Sequence, residues 1–118
     1  MARPEFTRKL IESKLAEYCL KHISETDHNE VRLIFKISGK RVSVIETRPY
    51  DKYPSFWVEN PIAQFRFKSK TNKWVFYYHE GFSRWHIYDI IEPSADIDDF
   101  LREMDRDPAG IFWDRRIF

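Results

Sequence analysis

In several stretches between residues 31 and 88 apolar side chains fall at every second position, and this alternation limits those stretches to strands of a pleated sheet. Successive strand residues point to opposite faces, so a period of two marks a strand buried on one side only. In "VRLIFKI" (31–37), Val31, Leu33, Phe35 and Ile37 share one side, and Arg32, Ile34 and Lys36 share the other. Ser38-Gly39 reads as a two-residue turn, setting Phe35 opposite Val42, Leu33 opposite Val44 and Glu46 opposite Val31. "IAQFRFK" (62–68) turns Ala63, Phe65 and Phe67 inward; a turn over "SKTN" pairs Lys68 with Lys73, Phe67 with Trp74 and Phe65 with Phe76. Glu80-Gly81 reads as another two-residue turn, pairing His79 with Phe82, Phe76 with Trp85 and Trp74 with Ile87. Three hairpins registered independently from their turns agree about which side is inside. "RPYDKYPSFWVENP" (48–61) carries three prolines and reads as a long loop with its own aromatic residues.

Helical periodicity flanks the sheet. Pro4 suits a first helical turn, and Phe6, Leu10, Ile11, Leu15, Tyr18 and Cys19 form one stripe over residues 4–22. "SETDHNE" (24–30) reads as a polar connector. A second, shorter helix over about 95–105 carries Ile97, Phe100, Leu101 and Met104. After it, Pro108-Ala109-Gly110 turns the chain and offers Ile111, Phe112 and Trp113 for docking. The expected fold is α+β: an N-terminal helix, five antiparallel strands and a C-terminal helix, with both helices on one sheet face. With 118 residues, 42% of them hydrophobic, the chain fits a single domain, residues 1–118 with a core over about 5–113.

The parity that fills the core also defines the other face. It gathers Arg32, Lys36, Arg41, Gln64, Arg66, Lys68, Lys73, Val75, Tyr77, His79, Arg84, His86 and Tyr88, while Trp74, Phe76, Trp85 and Ile87 face the helices. Net charge is only +1, but residues 89–108 hold eight carboxylates against two arginines, so basic and acidic surfaces are expected at different places. A basic sheet face interleaved with aromatic rings suits three roles. It can be a solvated outer face. It can be an interface for a protein partner or another copy, anchored by Tyr and Arg. Or it can be a track for single-stranded nucleic acid, with cations on phosphates and rings under bases. The residues expected to carry binding are Arg41, Arg66, Lys73, Tyr77, Arg84, His86 and Tyr88, together with the 48–60 loop.

Signals for catalysis are weaker. Glu46 lies on the inward side of its strand, and Arg48, two positions on, shares that side; a buried carboxylate needs such a partner. Glu46 with His86 as general acid or base, and Arg48 as an anion clamp, forms the alternative enzymatic reading, a small hydrolase or nuclease-like site. A metal nuclease would place Lys where Arg48 stands and an acid on the strand before it. His22, His28, His79 and His86 lack ligand spacing, the acids of "DIDDF" lack that of a calcium loop, and Cys19 has no companion, so neither metal nor cofactor is implied. Three glycines cannot build a glycine-rich phosphate loop. No apolar run approaches the ~18 residues of a membrane span and the start lacks a signal-peptide core. The expectation is a cytoplasmic protein without a membrane partner, Cys19 serving as a small buried apolar group.

"IETRP" (45–49), "KWVFYY" (73–78), "RWHIYD" (84–89) and "DIDDFLREMDRDPAGIFW" (96–113), in that order, give the chain a resemblance to a bacterial family, domain of unknown function 3024. The resemblance implies a small, soluble bacterial protein and supplies no activity. It draws attention to Glu46, Arg48, Trp74, Tyr77, Trp85, His86, Tyr88, Asp105 and Asp107, of which Trp74 and Trp85 are assigned to packing. Tyr50 and Tyr78 stand where members often show Trp, and "DRRIF" extends the chain past Trp113. Both departures leave room for a shifted ligand or partner preference.

Overall fold

The computed structural model describes residues 4–22, 32–50, 52, 53, 55–80 and 84–113, with residues 4–6 as backbone only. The Phe6 side chain, the 24–30 connector with His28, Val31, residues 81–83 (with Gly81 of the expected Glu80-Gly81 turn and its expected partner Phe82) and the tail past Trp113 lie outside these. The elements in order are α1 (Pro4–His22), β1 (Arg32–Ser38), β2 (Arg41–Pro49), β3 (Trp57–Lys68), β4 (Lys73–Glu80), β5 (Arg84–Ile87) and α2 (Asp98–Arg106). The five strands form one antiparallel sheet in the order β1-β2-β3-β4-β5. The α+β architecture is therefore as the alternation predicted.

The core lies between one sheet face and the helices. Ile11, Leu15, Tyr18 and Cys19 of α1 are buried, whereas Leu10, expected in the same stripe, is exposed. From the sheet come Leu33, Val42, Val44, Ala63, Phe65, Trp74 and Phe76; Ile97, Phe100, Leu101 and Met104 close the layer as expected. Phe76 is its centre, with Phe100 at 4.8 Å, Phe112 at 5.3 Å and Tyr88 at 5.0 Å between ring centroids. Each fully buried side chain of this size stabilises the fold by roughly 1.5–3 kcal/mol.

The acidic C-terminal stretch is a set of clamps. Lys14 of α1 reaches Asp96 and Asp98, each at 2.9 Å. Asp105 accepts from the Tyr18 hydroxyl at 3.0 Å and lies 2.8 Å from His22 Nε2. At the end of α2 Asp107 adopts the left-handed conformation (φ 40°), and its carboxylate accepts from the backbone N–H groups of Ile111, Phe112 and Trp113. Trp113 Nε1 donates to the Met104 carbonyl at 2.7 Å. One carboxylate thus folds "DPAGIFW" back under α2 and drives Phe112 into the core.

Three registers depart from expectation. In the first hairpin the turn is Gly39-Lys40, with Gly39 at φ +60°, so Phe35 faces Val44 and Leu33 faces Glu46. Every partner moves by two positions, which preserves the faces. The expected 48–61 loop is half strand: β2 runs through Pro49, and β3 begins at Trp57, leaving residues 50–56 to connect them. The prolines are accommodated because Pro61 sits at a β-bulge and the β3–β4 ladder starts only at Ala63. The third departure changes the site. Glu80 pairs with Arg84, not His79 with Phe82, so partners in β4–β5 move by three positions. An odd shift exchanges the faces of a strand.

Candidate functional site

Exchange of the faces of β5 corrects four expectations at once. Trp85 and Ile87, assigned to the core, lie opposite His79 and Tyr77 on the open face; Ile87 is 57% exposed. Arg84 and His86, assigned to the open face, pair with Glu80 and Tyr78 on the helix side. Tyr88 is 2% exposed, continues along β4 through a bond from its N–H to the Phe76 carbonyl, and donates its hydroxyl to Glu103 at 2.7 Å. Burial, with this bond to Glu103, holds the Tyr88 phenol protonated far above its ordinary range. It is a core residue and cannot stack an external ligand. His79 and His86, expected on one face, lie on opposite faces.

His86 sits at the rim of the helix side. Its ring stacks on Tyr78 at 5.4 Å, and its Nε2 lies 3.0 Å from Glu80 Oε1. That approach lacks hydrogen-bond alignment, so Nε2 is buried without a hydrogen-bond partner; the contact is a Coulombic one when the imidazole is charged. Glu46 is buried on the same side and held by Arg48 Nη2 at 3.0 Å, the ion pair its spacing implied. Strands β3 and β4 separate it from His86. At ~4.8 Å per strand the two groups stand roughly 14 Å apart, beyond the reach of one bond-breaking centre. The structure does not bring the proposed catalytic trio together.

What it does assemble is the open face, left uncovered by either helix. Among the described strand residues, six cations (Arg32, Lys36, Arg41, Arg66, Lys68 and Lys73) share it with one carboxylate, Glu59, which Lys36 neutralises at 2.9 Å. Arg41, Lys68 and Lys73 cluster near the 39–40 and 69–72 turns and have no carboxylate partner among the described residues. Arg66 is held in place: Gln64 donates to Ser43 Oγ at 3.0 Å and accepts from Arg66 Nε at 2.6 Å, and the guanidinium lies 3.9 Å over the Tyr77 ring. Of the expected binding residues, Arg41, Arg66, Lys73 and Tyr77 therefore fall where the sequence places them.

Two aromatic residues were not foreseen here, and both arrive through a parity change. The bulge in β3, which inserts Ile62 between the partners of Val44 and Ile45, turns Glu59 and Trp57 outward, where Arg32 covers the Trp57 ring at 4.6 Å. The three residues between Glu80 and Arg84 turn Trp85 outward against His79, 4.9 Å between rings. Past Trp57, the β2–β3 connection exposes Tyr50, Tyr53 and Phe56, with Tyr53 close to both of its neighbours. A three-proline stretch rich in aromatic residues was the available signal.

Asp105 and Asp107, singled out by family resemblance, are used internally as clamps, and Trp74 is buried. Among the described residues no three of His, Cys, Asp and Glu are placed to hold a metal ion, and no helix is long and apolar enough to cross a membrane. Neither the curated proteins nor the solved structures contain a match to this chain. The family model described as Domain of unknown function (DUF3024) matches residues 3–114, and on that match the chain belongs to this family.

Proposed function

We propose that the protein is a non-enzymatic interaction module whose open sheet face binds single-stranded nucleic acid. The observation that carries this reading is the run of cations Arg41, Arg66, Lys68 and Lys73, the outer three without carboxylate partners among the described residues, beside Tyr77 on the sheet face opposite the core. Folding brings these like charges together without neutralising them, and an anionic polymer would remove that repulsion while releasing its own counterions. Trp85 and the Arg66–Tyr77 pair add surface that stacks bases without regard to sequence. The reading takes the protein as cytoplasmic, where Cys19, its thiol pushed up to about 11 by burial, stays reduced.

A labelled oligothymidylate titrated at low and rising salt tests it. Affinity is expected to fall with log salt at a slope of about −0.7 per phosphate contact, and Arg41→Ala with Lys68→Ala and Lys73→Ala should flatten that slope by about two. Arg84→Ala, on the helix side of β5, should leave it unchanged. Absence of salt-dependent binding by the wild-type protein overturns the reading. The surviving alternative is then a protein partner or a second copy, favoured by the exposed Tyr50, Tyr53, Phe56 and Val58.

A further inference from the structure

The open face carries the same device at two places. Arg66 lies over Tyr77 at 3.9 Å near the basic end, and Arg32 lies over Trp57 at 4.6 Å at the far end of β3. In each pair the guanidinium carbon sits over the face of a ring. Such a pair joins a ring to a cation that is planar by its own bonding, and guanidinium planes as well as rings stack unpaired bases. Trp57 reaches this face only because the bulge at Ile62 reverses the parity of β3, so the second pair depends on an irregularity in an otherwise regular ladder. Bulges commonly re-aim side chains at sites of use. Between the pairs, Lys36 cancels Glu59, and Ser43 and Gln64 are hydrogen-bonded to each other, leaving no uncompensated strand carboxylate among the described residues to repel a phosphate chain. Along β3 the pairs are separated by roughly 25–30 Å at ~3.3 Å per residue.

We infer that Arg66–Tyr77 and Arg32–Trp57 are two base-stacking platforms at the ends of one track, so that the face measures the length of a single strand. This inference rests on the proposed nucleic-acid reading. A short strand occupies the Tyr77 platform, where the unpaired cations are. A strand long enough to span the face engages Trp57 as well, and the second contact is gained as an intramolecular event. The expected footprint falls within the ~4–16 nucleotides common for single-strand binding surfaces.

The experiment compares oligothymidylates of ~4 and ~16 nucleotides, spanning that range, by fluorescence anisotropy. Tyr77→Ala should weaken both by about tenfold. Trp57→Ala should weaken only the longer strand, also by about tenfold; Trp57→Phe, which keeps a ring, should restore most of the loss, and Arg32→Lys, which keeps charge but not planarity, should lose part of it. Matching thermal unfolding curves for the variants show that the fold is intact. If the wild-type protein binds both lengths but Trp57→Ala affects both equally or neither, the two-platform inference falls and the binding reading stands. If the wild-type protein binds neither length, both fall.

Discussion

The first and last hairpins differ from their expected pairing in the same way and with opposite consequences. In β1–β2 the turn sits one residue later than its Ser-Gly signal suggested, each partner moves by two, and Leu33, Phe35, Val42 and Val44 remain inside. In β4–β5 three residues separate the last pair, partners move by three, and Trp85 and Ile87 exchange places with His86 and Arg84. Face assignment in a hairpin is thus robust to an even error and reversed by an odd one. The deciding quantity is the number of residues in the turn, which local sequence specifies weakly. What settled β5 is tertiary: only one register buries Tyr88 against Phe76 and Phe112 while bringing its hydroxyl to Glu103.

That comparison can be broken most directly at β5. Tyr88→Ala should lower stability by about 3–5 kcal/mol, by opening a cavity beside Phe76, whereas the neighbouring Ile87→Ala should change it by no more than ~0.5 kcal/mol. Denaturant titrations giving the reverse order would return β5 to the register expected from its sequence. Tyr88→Phe isolates the hydrogen bond: it keeps the packing but leaves buried Glu103 without its tyrosine donor, at about 1–3 kcal/mol in the same titration. The first hairpin offers a milder test. Gly39→Ala should cost about 1 kcal/mol from its left-handed backbone alone, since no atom lies within 4 Å of an added Cβ, while Ser38→Ala should be nearly neutral.

The smallest effect concerns how α1 is tied to the segment leading into α2. The N–H of Asp98, then Lys14, hold the Asp96 carboxyl below its usual range, while Lys14, despite partial burial that opposes its charge, is raised by Asp96 and Asp98. A depressed carboxyl stabilises above its unfolded pKa of about 3.9 and loses that contribution as pH falls through its folded value. The raised lysine contributes below its unfolded pKa of about 10.4 and loses its share as pH rises through the folded value. Lys14→Met should therefore cost no more than about 1 kcal/mol near neutral pH, and nearly nothing below the carboxylate titration, as read from thermal unfolding across pH.

Half of the candidate site was legible before folding. Arg66, Lys68, Lys73 and Tyr77 lie on β3 and β4, whose register follows from the Lys68–Lys73 pair as expected, and Arg41 needed only the preserved parity of the first hairpin. Arg84, His86 and Tyr88 were misplaced together by one turn. Trp57 was hidden for a different reason: its strand carries Pro61 at a bulge and follows a proline-rich connection, and proline content argues against a strand until the missing neighbour on the β4 side is known.

Sequence alone determined the α+β class, the order of the five strands along the chain, the stripe of α2 and most of that of α1, and the side of β1, β2, β4 and the part of β3 from Ala63 onward that faces the helices, because each depends on periodicities of a few residues. Tertiary structure alone decided which way β5 faces, where β3 begins and which aromatic rings reach the open face. These depend on whether an odd or even number of residues is inserted into a ladder, a choice that is nearly degenerate locally and is resolved only when a whole face gains or loses its core.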